Sequence, residues 1–169
     1  FDAPSFPGVG PLCVMRLHVD GVRTLTETYG HAHGDQLMQH VARRLQGAMR
    51  EGDVLAHAES DEFLLLTRGL SDEHELAQLA QRLSAAVHAP CLIEGHELTV
   101  SASIGIARYP ESFNARLLLT HASDAMLTAR KAGGGVYCFH RSGEDQVGVD
   151  QVALQRDLRH AIARDELSL

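Results

Sequence analysis

Apolar residues along this chain follow two rhythms. From Leu12 to Val19 they form a nearly continuous run, the pattern of a buried first strand. From Gly34 to Met49 the positions Leu37, Val41 and Leu45 recur at i, i+4 and i+8, an amphipathic helical stripe, and a shorter helical segment from Val22 to Tyr29 precedes it. Val54 to Thr67 reads as two short apolar runs joined through Glu59-Ser60-Asp61-Glu62, which predicts a β-hairpin with an acidic tip and strands apolar enough for a sheet centre. Ser71 to Val87 is predicted as a helix, with Ser71 at its N-cap and Leu76, Leu79 and Leu83 on one face. A second strand pair, Cys91 to Ile93 with Leu98 to Ala107, is expected around Glu94-Gly95-His96. Arg116 to Ala132 is the last core helix and Val136 to Phe139 the last strand.

Hairpins and crossovers alternate in this order, so the expected fold class is α/β of the α+β kind: a central, mostly antiparallel sheet flanked by helices. Ser142 to Asp150 is polar and contains glycine, as linkers do. Beyond it Leu154, Leu158 and Ile162 share one face of a helix whose other face is charged. The division expected is a domain over residues 1–141, then a linker and connector helix over 142–169.

Composition narrows the function classes. With 169 residues, 44% of them hydrophobic, the chain suffices for one well-buried domain plus a terminal appendage. Its net charge of -7 offers no basic footprint for a nucleic-acid backbone, while leaving room for a free nucleotide at a local site. Cys13, Cys91 and Cys138 are odd in number, widely spaced and set in apolar runs, so they read as reduced core thiols of a cytoplasmic domain. No apolar stretch reaches the roughly 20 residues that span a bilayer. The chain opens at Phe1 without a charged-then-apolar leader and reads as a piece of a longer parent that could itself be membrane-anchored. His31 and His33 are the tightest histidine group; lacking a paired cysteine or carboxylate at ligand spacing, they fit solvated or capping roles better than a metal cluster.

Several motifs occur in one order. Tyr29-Gly-His-Ala-His-Gly-Asp35, Ala58-Glu59-Ser60-Asp61-Glu62-Phe63, Ser101-Ala-Ser-Ile-Gly-Ile-Ala107 and Ala129-Arg-Lys-Ala-Gly133 resemble, in turn, the helix-helix turn, signature hairpin, sheet motif and final helix end of GGDEF domains, the diguanylate cyclases. The terminal stretch Leu154 to Leu169 resembles the connector from such domains into EAL phosphodiesterase domains. The resemblance implies a nucleotidyl-cyclase-like fold and a parent carrying both domains.

It also implies a degenerate site. Active members hold divalent metal against GTP with an Asp ending the first strand and a carboxylate at the third signature position. Here those places are His18 and Asp61, and a neutral imidazole suits magnesium poorly. Asp20 shares side-chain parity with His18 without being the family's main ligand. Glu59 and Ser60 replace two glycines that permit positive φ and let nucleotide lie against bare backbone. Guanine recognition maps to Thr26, in place of an Asn, and to Asp35, which reads equally as a helix-start residue favoured by the dipole. The phosphate cations map to Arg130 and Gly134, so one is altered and one lost. Arg50-Glu51-Gly52-Asp53 matches the family's RxxD inhibitory site for cyclic di-GMP, although an Arg ending a helix and an Asp in the next turn are also ordinary capping chemistry.

The function expected is therefore a catalytically degenerate domain of cyclic di-GMP signalling. It would regulate an attached EAL phosphodiesterase by binding GTP or by serving as a scaffold, with Mg2+ present only alongside GTP and a second copy of the chain as a candidate partner. The alternatives are a residually active cyclase and a cyclic di-GMP receptor acting through Arg50 and Asp53.

Overall fold

The sheet is built around β1 (Leu12–Asp20), whose alternate side chains feed two different layers. The computed structural model describes residues 11–70, 72–109 and 114–141. The expected linker and connector helix over 142–169 lie outside the described residues, as does Ser71. After β1 come α1 (Val22–Tyr29), α2 (His31–Ala48), β2 (Val54–Glu59), β3 (Glu62–Arg68), α3 (Glu73–His88), β4 (Cys91–Ile93), β5 (His96–Leu98), β6 (Ser101–Tyr109), α4 (Ala115–Lys131) and β7 (Tyr137–Phe139). The main sheet runs β2-β3-β1-β6-β7, with every pairing antiparallel except β6 with β7. The expected α+β architecture is the one observed.

Cys13, Met15, Leu17 and Val19 point to one face, where they join Leu37, Val41 and Leu45 of α2 and Leu76 and Leu83 of α3 in the principal core. Leu12 and Val14 point to the other and pack with Leu118 and Ala122 of α4. Arg16, His18 and Asp20 share that second face by parity but lie further along the strand. The α4 face thus passes from apolar to polar along β1.

Gly105 lets α4 approach this closely: a Cβ there would run into the Ala122 carbonyl and the Met126 backbone. At a helix-to-sheet contact made by backbone, only glycine fits.

Three local expectations need correction. The hairpin does not supply the sheet centre: β3 is internal, but β2 is the edge, with Val54 55% exposed, because the doubly buried β1 takes the middle. The pair expected between Cys91–Ile93 and Leu98–Ala107 is instead a tight hairpin of β4 with β5, closed by Glu94 (φ 48) and Gly95 (φ 84). Positive φ at both turn positions suits a two-residue hairpin loop, and the chain then breaks at Thr99 and Val100 before β6 joins the main sheet. The N-cap of α3 is Asp72, whose carboxylate accepts the His74 N–H, rather than Ser71. Helix α2 also starts earlier than the apolar stripe suggests, since Gly30 (φ 96) separates it from α1. No helix among the described residues is long and apolar enough to cross a membrane.

Candidate functional site

At the polar end of β1 the His18 imidazole lies between two carboxylates. Its Nδ1 is 2.8 Å from Asp20 Oδ1 and its Nε2 is 3.0 Å from Asp61 Oδ2. A neutral ring donates to one of these acceptors; only the protonated ring donates to both. His18 is 8% exposed, so these contacts are shielded from competing water.

Each end of this chain of contacts is tied down. The Asp61 carbonyl accepts the Val19 N–H at 2.8 Å, fixing the hairpin tip against β1. Asp20 accepts from Ser103 Oγ at 2.8 Å, Ser101 Oγ at 3.1 Å and the Gly135 N–H at 3.2 Å. Gly134 sits beside this carboxylate at φ 75, where a Cβ would come within 3.0 Å of Asp20 Oδ2. The position expected to supply a phosphate cation is thus a bare turn closed onto an anion. Sequence reasoning placed Asp20 on the face of His18 without making it a main ligand, and missed Ser101, Ser103 and Gly135 as its partners. The signal was the alternation of β6, which puts both serines on the face of Asp20.

His18, Asp61 and Glu62 also bring one ligand atom each within 4.8 Å of one another. Arg16 holds Glu62 through Nε and a terminal guanidinium nitrogen, both 2.7 Å from Oε1. One imidazole nitrogen with two carboxylates is a mixed donor set and does not match the all-oxygen octahedron that Mg2+ demands.

The signature hairpin closes through a two-residue loop, Ser60-Asp61, between the paired Glu59 and Glu62, with a bulge between His57 and Glu59. None of these residues has positive φ. Glu59 and Ser60 therefore form an unstrained, exposed turn without the freedom that glycines would add. Phe63 is buried and stacks on His57 at 4.9 Å.

Two clefts meet at Asp61. One, of about 310 Å³, is lined by Thr26 and Asp35 together with Arg23, Ser60 and Asp61. The other, of about 270 Å³, is lined by His18, Arg23, Asp61, Glu62 and Arg130. The residues matched to base recognition and those matched to metal and phosphate contacts are thus brought to adjoining spaces. Arg23, which sequence reasoning did not single out, borders both as the exposed cation opening α1. Gly34 leaves room for Thr26 in the first cleft: a Cβ there would come against Thr26 Oγ1 and force the hydroxyl to move. A third cavity of about 490 Å³ lies beyond Ser101, between α3 and the glycine turn, away from these residues.

Arg50 and Asp53 are knitted into a turn. Asp53 accepts the Arg50 N–H at 2.9 Å and the Thr67 hydroxyl at 2.7 Å, while Arg50 Nη1 donates to Thr67 Oγ1 at 3.2 Å and the Arg68 carbonyl at 3.0 Å. Both side chains help join the end of α2 to β3. His31 borders the first cleft, and His33 stacks on Tyr29 at 5.4 Å with its Nε2 3.3 Å from Glu94. The pair does not converge on a common ligand point.

Comparison with known proteins agrees with this architecture. The family model described as diguanylate cyclase, GGDEF domain, matches residues 9–135. The bifunctional diguanylate cyclase/cyclic di-GMP phosphodiesterase MucR of Pseudomonas aeruginosa is 36% identical over 157 residues, 92% of this chain and 23% of that protein. The cyclic di-GMP phosphodiesterase PdeR of Escherichia coli is 32% identical over 155 residues, 91% of this chain and 23% of PdeR. The chain thus spans less than a quarter of the length of these relatives. An EAL/GGDEF domain protein from M. capsulatus superposes with a TM-score of 0.75 at 31% identity, covering 82% of this chain and 90% of that structure. Motif order, sheet topology and the matched span agree: the chain belongs to the GGDEF domain family.

Proposed function

We propose that this GGDEF domain has lost cyclase chemistry and acts as a GTP-responsive regulator of an EAL phosphodiesterase in the same parent protein. The observation that carries the reading is the Asp20-His18-Asp61 chain: an imidazole stands where the family's metal-binding carboxylate is expected and is hydrogen-bonded to the carboxylate that would have been its partner. Without that pair of oxygen ligands, Mg2+ is not held where it would offset the triphosphate charge and lower the barrier to attack by a 3'-hydroxyl.

Binding does not need all of that machinery. Asp35 and Thr26 offer a carboxylate and a hydroxyl to a guanine edge at one end, and Arg23 and Arg130 offer guanidinium groups to phosphates at the other. The phosphodiesterase link is supported by MucR and PdeR, whose names carry that activity, and by the M. capsulatus protein described as EAL/GGDEF.

The test is calorimetric titration of GTP with magnesium into the domain, followed by the phosphodiesterase rate of the parent with and without GTP. Saturable binding and a changed rate, with no cyclic di-GMP formed from GTP, are expected. Cyclic di-GMP synthesis by the isolated domain would overturn the loss of catalysis, and absence of binding to millimolar GTP would reduce the role to a scaffold.

A further inference from the structure

We propose that His18, Asp61 and Glu62 form a binding site for a borderline divalent transition ion, with zinc as the occupant that matches them best. The inference goes beyond the regulatory reading and shares only its premise that the magnesium pair is broken. Three observations carry it.

The donors already converge. Their ligand atoms lie within 4.8 Å of one another, and His18 Nε2 is 3.0 Å from Asp61 Oδ2. Two donors at about 2.0–2.1 Å from a tetrahedral zinc are about 3.3 Å apart. A few tenths of an ångström of opening would therefore seat the ion between His18 and Asp61, with the Glu62 carboxylate moving in from within 4.8 Å to complete the set. Arg16 engages Glu62 through Oε1 alone, which leaves its second oxygen as a donor.

The imidazole is oriented for the task. Asp20 lies 2.8 Å from Nδ1 and is itself held by Ser101, Ser103 and Gly135. A proton kept on Nδ1 by this carboxylate puts the lone pair on Nε2, toward Asp61 and Glu62. That is the outer-shell carboxylate arrangement that fixes tautomer and ring angle in histidine metal sites.

The site is rigid, accessible and matched in charge. His18 and Glu62 are directly paired across β1 and β3, so two of the ligands ride on hydrogen-bonded strands. The cleft of about 270 Å³ beside them provides an entry path. A neutral imidazole with the Asp61 and Glu62 carboxylates sums to -2, and Asp20 on the imidazole and Arg16 on Glu62 offset one another, so the cluster balances a divalent ion. Imidazole shifts preference from magnesium toward zinc and its first-row neighbours.

The test uses chelator-treated domain without nucleotide, so that its outcome is independent of GTP binding. Calorimetry with Zn2+ should give one site per chain, at least about 100-fold tighter than Mg2+, and Co2+ should give visible ligand-field bands. His18→Ala and Asp61→Asn should each weaken Zn2+ by about 100-fold or more and remove the Co2+ bands, whereas the double variant His31→Ala/His33→Ala should change neither. Asp61→Asn, at the hairpin tip, keeps the test valid should His18→Ala fail to fold. Zinc binding that survives both ligand variants, Mg2+ binding as tight as Zn2+, or no stoichiometric Zn2+ binding would each overturn the proposal.

Discussion

Replacing Asp20 by alanine should cost about 2–4 kcal/mol of folding stability. Ser103 is fully buried, and its hydroxyl donates to Asp20 at 2.8 Å. Stripping a buried donor of its acceptor costs about 1–3 kcal/mol. The Gly135 N–H and the His18 imidazole lose the same acceptor, while half-buried Ser101 regains a water. Against this stands the desolvation relieved by removing a carboxylate whose side chain is only 24% exposed. Asp20→Asn, which keeps shape and one acceptor oxygen, should cost about half as much. Urea unfolding followed by far-ultraviolet circular dichroism measures both, with an unchanged denaturant slope indicating that the change is in stability. A double-mutant cycle with Ser103→Ala should show a coupling of about 1 kcal/mol or more. A loss below about 1 kcal/mol for Asp20→Ala would mean that solvent replaces these bonds at little cost and that Asp20 is no anchor for His18.

Gly105→Ala should destabilise by about 3 kcal/mol or prevent folding, since backbone atoms of α4 occupy the place of the new methyl; a soluble variant with an unchanged melting temperature would refute the close approach. Burial pushes the Cys13 thiol above its ordinary value of 9.0, so the folded state keeps a proton that the unfolded state releases. The thiol's contribution is present below that value and falls as pH rises above it, by about 1.4 kcal/mol per pH unit. Cys13→Ala should flatten this alkaline limb in stability measured from pH 8 to about 10.5. Restoring glycines at the tip, Glu59→Gly with Ser60→Gly, should lower stability by about 1–2 kcal/mol because no positive φ is present to relieve, and should yield no cyclic di-GMP by chromatographic assay. His18→Asp puts a third carboxylate beside Asp20 and Asp61, so the variant should melt lower in chelator, recover with Mg2+ and still form no cyclic di-GMP; robust synthesis would show that the hairpin and phosphate positions are adequate as they stand.

The core was legible because period is a direct image of burial: the i, i+4, i+8 stripe of α2 is found in the principal core, and the nearly continuous run of β1 supplies apolar residues to both faces of the sheet. The place of β2 was not, because an apolar strand at an edge and one in the middle differ in their neighbours, not in their own letters. The short β4–β5 hairpin was masked by the apolar run after it, and its cue was the two-residue Glu94-Gly95 turn. At the site, the matched positions Thr26, Asp35, His18, Asp61 and Arg130 do fall around adjoining clefts. The partners Ser101, Ser103 and Gly135 come from residues more than 80 positions from Asp20; the alternation of β6 gave the face of the two serines, but only the β1–β6 pairing sets them against Asp20.

The departures from the family pattern act as one arrangement. The bare turn at Gly134 lets the loop after α4 close onto Asp20. A pinned Asp20 fixes one side of the His18 ring, and that ring in turn faces Asp61 at the tip where Glu59 and Ser60 have replaced glycines. A long side chain at position 134 would have to displace either the turn or the carboxylate. An acidic residue at position 18 would face two anions without a donor between them. Each of these residues is therefore held in place by the others, so that a change at position 18, 20 or 134 is felt at all three.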